Sequence, residues 1–281
     1  MDEAHQDRKA RLLTNLQEVA RERHPDTAPA GHAYVADHMR RTLARHGALA
    51  AHTFRHRGRL HENIVLDLPR RGGDGLVLAG AHYGGVPGSP GADDNGSALA
   101  VLLELARVFS EMPPPCALRL VAFDLEEQDL VGSRAYAAEL HERREPLRLM
   151  LSLEMLGYRD ARPGSQRYPP GLRYFYPERG DFIGLIGNLR AAPSMRRMAR
   201  AMRAAVPCEW LAVPWRGRVL PDTRRSDHAP FWDLGYPALM VTDTADLRNP
   251  HYHRPSDRIE TLDLDFLTAV CTGVIAALRV L

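Results

Sequence analysis

The sequence is poor in cysteine, and the three cysteines that it has lie far apart. Cys116, Cys208 and Cys271 are odd in number and lack the spacing of metal ligands. These features argue against a disulfide framework and against a cysteine-ligated metal site. We therefore expect three buried thiols in the reduced state.

The sequence also lacks long hydrophobic runs and a large net charge of either sign. No run approaches the roughly 18 apolar residues of a membrane span. The N-terminus is charged from its second residue and has no apolar stretch that resembles a secretion signal. The formal net charge is only +2, and the many arginines are spread over predicted helix faces as a solvated surface. We expect a soluble, cytoplasmic protein that binds neither membranes nor nucleic acid. Nothing in the sequence specifies an oligomeric state.

The stretch from His82 to Ser97 is the most informative part of the chain. It follows the apolar run 76–81, which is typical of a buried strand, and leads into an apolar helical pattern over 98–109. Glycines and prolines between its histidine and its acidic pair specify a fixed loop path. Because ligands of open α/β sheets bind beyond the carboxyl ends of the strands, we expect chemistry here.

Strand and helix patterns alternate along the chain, which has 44% hydrophobic residues and can bury a large core. Predicted strands cover 53–56, 63–68, 76–81, 117–123, 147–153, 182–186 and 237–241, a turn covers 69–74, and helices cover 2–23, 31–46, 98–109, 130–142, 194–205 and 263–281. This alternation predicts an α/β fold with a mixed, mostly parallel central sheet and helices on both faces. We expect one domain over 1–281, with the helices of 1–48 packed on the sheet.

Potential metal ligands follow several of the predicted strands. They are His82, Glu126 with Glu127, Glu154 and His253, and Asp94 lies in the loop after the first of these strands. Histidine nitrogen and carboxylate oxygen suit zinc, or less well manganese or cobalt. Five ligands exceed the needs of one ion, whereas two ions about 3.5–4 Å apart and bridged by a carboxylate would use them all. One of two adjacent glutamates can then bind metal while the other acts as general base.

Each of these features also has a structural interpretation when taken alone. The acidic pair before Asn95 could form a turn and a helix N-cap, and the two glutamates could be a solvated pair at a helix start. The histidines of 251–253 could be ordinary loop residues. Glu154 is harder to explain in this way, because a carboxylate that ends an apolar strand is costly to bury unless it is paired or bound to metal. Their shared position at strand ends favours a metal site.

Five segments resemble motifs of the M28 family of zinc metallopeptidases, which includes bacterial leucyl-type aminopeptidases and related glutaminyl cyclases. The segments are 82–97, 123–133, 152–158, 226–231 and 250–257, and they follow the order of the family from about residue 60 to the C-terminus. The resemblance implies a zinc exopeptidase fold of the phosphorylase/hydrolase-like type. It also implies that the chain is a metallopeptidase.

The resemblance implies a role for each matching residue. The expected metal ligands are His82, Asp94, Glu127, Glu154 and His253, with Asp94 bridging two zinc ions. Glu126 occupies the position of the general base, and Tyr252 is a candidate donor to the oxyanion. Asp93 has a supporting role, and Asp227 and His228 match a motif that lines the same pocket.

Three positions depart from the usual pattern of the family. Gly84 stands where relatives have an aspartate that orients the first histidine, so another carboxylate or a carbonyl must hold His82, or its metal site is weaker. Glu154 replaces an aspartate and is one methylene longer. Asp129 stands where glycine is common, and nothing in the sequence assigns it an effect.

We therefore expect an aminopeptidase that hydrolyses the N-terminal peptide bond of a peptide or an amino-acid amide, through a metal-activated water and a glutamate base. The alternatives are a glutaminyl cyclase-like transferase, a hydrolase of another amide, and a binding module without activity. The cyclases use a single zinc ion, held by residues at the positions of Asp94, Glu127 and His253. The additional presence of His82 and Glu154 therefore favours hydrolysis. The segments 158–181 and 208–225 are predicted to be loops that either rim the site or cover the scaffold.

Overall fold

A computed structural model describes residues 3–68 and 75–281, so the turn predicted at 69–74 lies outside the described residues. The strands are β1 (Leu49–His56), β2 (Arg59–Leu68), β3 (Leu76–His82), β4 (Ala117–Phe123), β5 (Leu147–Glu154), β6 (Ile183–Asn188), β7 (Cys208–Val213) and β8 (Ala238–Thr242). The helices are α1 (Glu3–Val19), α2 (Pro29–Leu43), α3 (Ala98–Glu111), α4 (Val131–Glu142), α5 (Ala192–Met202), α6 (Ala229–Asp233) and α7 (Leu264–Arg279).

The eight strands form one sheet in the order β1-β2-β4-β3-β5-β8-β6-β7. Strands β4, β3, β5 and β8 are parallel to their neighbours in this central block, whereas β1 with β2, β2 with β4, and β6 with β8 are antiparallel. The predicted mixed, mostly parallel sheet is confirmed. In its centre, His82 pairs with Phe123 and Glu154 pairs with Thr242, so neighbouring strands end at the same edge.

Helices cover both faces of the sheet, as predicted, because side chains of the central strands alternate between two cores. In β3, Val77 and Ala79 join the larger core and Leu78 joins the smaller one. The larger core contains the apolar faces of α1, α2, α3, α5 and α7, and the smaller one contains those of α4 and α6. Strands that are apolar on both sides are typical of a sheet buried between two helical layers.

The two N-terminal helices join the larger core mainly through other helices. Helix α1 packs on α3 and α7, and α2 packs on α1, α3 and β2. An ion-pair cluster accompanies the first contact, since Arg11 of α1 and Arg107 of α3 both bind the buried carboxylate of Glu104, at 3.0 and 2.9 Å. Within the described ranges, none of the helices is long and apolar enough to cross a bilayer. The three cysteines are buried and unpaired, as predicted.

The prediction of a loop over 208–225 is wrong in its first part, where the edge strand β7 lies. This strand has six residues between Pro207 and Pro214, and four of its side chains are only partly buried, so it shows no apolar alternation. Its strand conformation depends on pairing with β6, which is distant in sequence. The segment 158–181 contains only a short 3-10 turn, Leu172–Tyr174, and an isolated bridge between Asp160 and Gly180.

Candidate active site

The sheet brings the five expected metal ligands to one edge. His82 and Glu154 are the last residues of the neighbouring strands β3 and β5. Glu127 lies in the short turn after β4, His253 lies in the loop after β8, and Asp94 lies in an irregular turn, Ala92–Ser97, that leads into α3. Parallel strands that end together therefore place residues from five distant segments side by side.

These residues form two triads that share Asp94. In the first, His82 Nε2 lies 3.4 Å from both Asp94 Oδ1 and Glu154 Oε1. In the second, His253 Nε2 lies 3.0 Å from Asp94 Oδ2 and 3.4 Å from Glu127 Oε2. The ligand atoms of each triad all lie within 4.8 Å of one another. Asp94 thus offers one carboxylate oxygen to each triad.

The composition of the triads suits a divalent cation. Within the part of the chain that the structure describes, Glu127 Oε1 is buried and makes no hydrogen bond. Burial alone would lower the pKa of His82, but the carboxylates of Glu126 and Glu154 raise it well above its ordinary value. Buried anions need a cation close by. Histidine nitrogen with carboxylate oxygen is a donor set of catalytic zinc sites, so these residues fit the metal.

Glu126 lies beside the triads with a nearly buried side chain. Its Oε2 is 3.8 Å from His82 Nε2, and together with His82 and Glu127 it forms a further group with metal-ligand spacing. Burial raises the pKa of Glu126 well above its usual range, and the neighbouring carboxylates Glu127 and Glu154 add to this effect against the opposing influence of His82. A raised pKa suits a carboxylate that must accept a proton near neutral pH.

The turn that carries Asp94 is held by two other carboxylates. Asp257 accepts hydrogen bonds from the backbone N–H groups of Asp93 and Asp94, at 2.9 and 3.0 Å. Asp93 accepts from Gly157 N and Asn249 Nδ2, at 2.9 and 2.8 Å, and so ties the turn to the segments that follow β5 and β8. Sequence reasoning placed Asp93 in support but overlooked Asp257, although the latter ends one of the recognised motifs.

Glu154 is fixed by a serine that sequence reasoning missed. Ser226 Oγ donates to Glu154 Oε2 at 2.7 Å, and Ser152 Oγ lies 2.7 Å from Ser226 Oγ. This bond leaves Glu154 Oε1 directed at His82. The only sequence signal was the position of Ser226 directly before Asp227. The longer side chain of glutamate is therefore held at its far end.

A backbone carbonyl takes the place of the aspartate that is absent beside His82. His82 Nδ1 lies 3.3 Å from Gly84 O, and among the described residues this carbonyl is its hydrogen-bond partner. A Cβ atom at Gly84 would meet nothing within 4 Å. The ring is therefore held by a neutral and rather distant acceptor, although the structure has room for a larger residue.

Tyr252 lies at the mouth of the site. Its ring stacks on that of His253 with the centroids 3.7 Å apart, and its hydroxyl lies 3.1 Å from Arg225 Nη2. Burial raises the pKa of Tyr252, so the phenol stays protonated and can donate a hydrogen bond. Arg225 also binds Asp246, at 2.9 Å. Sequence reasoning selected Tyr252 but not the arginine that positions its hydroxyl.

Asp227 and His228 are both fully buried, but their surroundings differ. Burial raises the pKa of Asp227 to about 7, and the charge of Asp227 contributes to the raised pKa of Glu126. His228 Nε2 donates to Thr223 O at 2.8 Å, and its ring packs edge-on against Trp232. Burial lowers the pKa of His228 to about 4, so this ring is neutral. The contacts of His228 are with the scaffold rather than with the triads.

A largely apolar pocket that is open to solvent adjoins the triads. Glu154 and Tyr252 belong to its wall, and its apolar lining includes Leu172, Tyr176, Phe182, Leu185, Trp210 and Met240. Leu172 and Tyr176 come from the segment 158–181, and Trp210 comes from β7. Both segments that were predicted to be loops therefore contribute to the pocket.

Sequence comparisons match the chain to a known peptidase family and to several relatives. A sequence model described as peptidase family M28 matches residues 63–278. The Escherichia coli (strain K12) protein YfbL is 38% identical over 232 residues, which cover 78% of this chain and 70% of the relative. A probable leucine aminopeptidase 1 of Trichophyton verrucosum is 29% identical over 242 residues, 80% of this chain, and the chain spans only 58% of that relative.

The fold also resembles solved structures. The LapA aminopeptidase of Legionella pneumophila superposes with a TM-score of 0.75 over 97% of this chain and 71% of that one, at 17% identity, which supports the fold alone. The family match covers most of the chain and includes all five ligand positions. The chain therefore belongs to peptidase family M28 and is a peptide hydrolase.

Proposed function

We propose that the chain is a zinc-dependent aminopeptidase that removes single residues from the free N-termini of peptides. The observation that carries the proposal is the pair of triads that share Asp94, next to a buried glutamate and an apolar pocket. Two zinc ions, for which manganese or cobalt are possible substitutes, would be held by His82, Asp94 and Glu154 and by Asp94, Glu127 and His253. Names of relatives that include aminopeptidases and zinc metalloproteases support the assignment.

The residues around the triads would then perform hydrolysis. Bound zinc supplies a Lewis acid that lowers the pKa of water and polarises a carbonyl. Glu126, whose pKa burial raises, accepts a proton from the attacking water and delivers it to the leaving amine. The Tyr252 hydroxyl, positioned by Arg225, donates a hydrogen bond to the oxygen on which negative charge develops.

The pocket and the acidic surroundings would select the substrate. The apolar lining favours a large apolar side chain on the N-terminal residue, because its burial is worth roughly 1.5–3 kcal/mol. The carboxylates at the junction of the pocket and the triads, Glu154 among them, attract a free α-amino group. An acetylated N-terminus has no such charge and should be rejected.

Peptide digestion tests the proposal. Zinc-loaded protein is incubated with peptides that begin with leucine, phenylalanine or glutamate, each with a free and with an acetylated N-terminus, and the products are read by mass spectrometry. We expect loss of one N-terminal residue from the free leucine and phenylalanine peptides, faster than from the glutamate peptide. Equal cleavage of the acetylated peptides would contradict an aminopeptidase.

A peptide that begins with glutamine distinguishes the transferase alternative. A cyclase would convert this peptide to its pyroglutamyl form, with loss of ammonia and without shortening. That product in the absence of hydrolysis would overturn the proposal. Removal of the glutamine residue as a free amino acid would support it.

A further inference from the structure

Arg23 is a buried cation at the metal site that lies outside the region matched by the family. It stands between α1 and α2, whereas the match begins at residue 63, and its side chain is fully buried. In the described part of the chain its guanidinium forms hydrogen bonds only with backbone carbonyls. Burial of a charge without an ion pair is costly. We therefore expect the Arg23 side chain to have a role that offsets this cost.

The guanidinium binds the turn that presents Asp94. Nη1 donates to Pro90 O at 2.7 Å, and Nη2 donates to Gly91 O at 2.9 Å and to Asp94 O at 3.0 Å. Nη1 also donates to Val19 O at the end of α1, at 3.1 Å. Three carbonyls of one turn thus converge on a single side chain, which is itself anchored to the N-terminal helix.

The turn is shaped around this side chain. Gly91 has φ +58°, and a Cβ atom there would lie 2.8 Å from both Nη1 and Nη2 of Arg23 and 2.2 Å from Asp94 O. A Cβ atom at Gly85 would lie 3.3 Å from Arg23 Cγ. The glycine at position 91 is therefore required by the close approach of the guanidinium as well as by the backbone conformation.

We propose that Arg23 is a positioning residue for the bridging ligand Asp94, so that the N-terminal segment is part of the metal site. Asp257 holds the N–H of Asp94, and Arg23 holds its carbonyl, so the backbone of this residue is fixed on both sides. Without the guanidinium the carbonyls of Pro90, Gly91 and Asp94 repel one another, and the turn relaxes. The carboxylate of Asp94 then loses its shared place between the two triads. This inference rests on the proposed metal site.

Zinc affinity tests the inference without reference to activity. We would measure it by competition with a chromogenic chelator for the unaltered chain and for Arg23→Lys and Arg23→Ala, with thermal unfolding in parallel. Lysine keeps the charge but cannot bridge three carbonyls, so we expect affinity to fall about 10-fold in Arg23→Lys and about 100-fold in Arg23→Ala. Guanidinium ion at millimolar concentration should restore the affinity of Arg23→Ala by filling the vacated space.

Arg119→Ala is the matched control. Arg119 of β4 is also largely buried and binds Asp67 and Glu145 through several nitrogens, but these partners do not belong to the site. Its loss should lower stability, leave zinc affinity unchanged and show no response to guanidinium.

The outcomes separate the inference from the proposed function. Unchanged zinc affinity in both Arg23 variants would overturn the inference. A second combination of results would also overturn it: Arg23→Ala loses zinc affinity that guanidinium does not restore, and Arg23→Lys keeps the affinity of the unaltered chain. If Arg23→Ala does not fold, Arg23→Lys decides alone by its zinc affinity. Absence of zinc binding by the unaltered chain would overturn the proposed function, and the inference with it.

Discussion

At the scale of single residues, the two adjacent glutamates have different surroundings although they share one turn. Glu127 contacts His253, whereas Glu126 lies against His82 with a raised pKa. The left-handed backbone of Leu125, with φ 53°, begins this turn directly before the pair. A difference of one position in the chain therefore separates a metal ligand from a general base in the proposed mechanism.

The support of His82 leads to a prediction at this scale. Replacement of Gly84 by aspartate would offer Nδ1 a carboxylate instead of the carbonyl at 3.3 Å, in a space where a Cβ atom meets nothing. Because an anionic partner makes a histidine ligand more basic, we expect zinc affinity to rise about 10-fold. Competition with a chelator measures the change.

Gly84→Asn is the matched control for that variant. Asparagine has the same size but no charge, so its zinc affinity should stay near that of the unaltered chain. Equal affinities of the aspartate and asparagine variants would contradict the electrostatic argument.

The sequence was sufficient to select the residues that the structure brings together in the two triads, but not those that hold them in place. His82, Asp94, Glu154 and His253 stand out because charged or metal-binding side chains follow apolar strands. Arg23, by contrast, is one arginine among many, and only its contacts with a turn nearly 70 residues further along the chain distinguish it. Long-range contacts of this kind leave no local pattern in a single sequence.

At the scale of elements, the contact of α1 with α3 contains the buried carboxylate of Glu104. Burial alone would raise the pKa of Glu104, but hydrogen bonds and charges of Arg107 and Arg11 lower it below its ordinary value. A carboxyl group with a lowered pKa stabilises the fold above the pKa of the unfolded chain, and this contribution is lost as pH falls through the folded pKa. The cluster should therefore strengthen the attachment of α1 at neutral pH.

The pH dependence of Glu104→Gln tests this assignment. We expect the variant to unfold with a free energy about 1–3 kcal/mol lower than that of the unaltered chain at pH 7. The difference should shrink as pH falls below about 4.5, the ordinary pKa of the carboxyl group in the unfolded chain, and should be lost once pH falls through the lowered pKa of Glu104 in the folded protein. Denaturant unfolding at several pH values measures it, and a difference independent of pH would contradict the ionic origin.

The elements with strong local patterns were the ones that the sequence located well. Strand β4 has the predicted bounds 117–123, and β3 and β5 each extend one residue beyond prediction, to include His82 and Glu154. Strand β7 was missed, because a half-exposed edge strand between two prolines has no periodic pattern and depends on β6 for its hydrogen bonds. Whether such a segment forms a strand depends on its pairing with a neighbouring strand.

At the scale of the whole molecule, several buried carboxylates lie at one end of the sheet, and the protein's own cations do not balance their negative charge. Asp94, Glu126, Glu154 and Asp227 are all buried there. The histidines of the triads lie close to them, and the buried cation of Arg23 interacts with Asp94. This arrangement makes the folded chain without metal electrostatically unfavourable. Metal binding should therefore be coupled to stability.

Removal of zinc tests this coupling. A ligand that binds only the folded state stabilises it by about 4 kcal/mol when its free concentration is 1,000 times Kd. We expect a chelator to lower the melting temperature of the unaltered chain, and we expect little further change in Asp94→Asn, which lacks the shared ligand. A chelator without effect on the unaltered chain would show that the triads do not hold metal in the folded protein.

The alternation of strands and helices was enough to predict the sheet and its two helical layers, because each central strand is apolar on both sides. The attachment of the N-terminal helices was less predictable. Their apolar spacing shows that one face is buried, but it does not show that α1 packs on α3 and α7 and continues into Arg23 beneath the site. These helix contacts depend on the tertiary structure and leave no local pattern in the sequence.

The most direct measurement of the central claim compares zinc content and turnover in the unaltered chain and in Glu126→Gln. Both proteins are loaded with zinc, analysed for metal by mass spectrometry and assayed on a peptide with a free N-terminal leucine. We predict two zinc ions per chain in both, with turnover lower in the variant by a factor of about 100 to 10,000, because glutamine cannot accept the proton. Unchanged turnover in Glu126→Gln with its full zinc content would contradict the account.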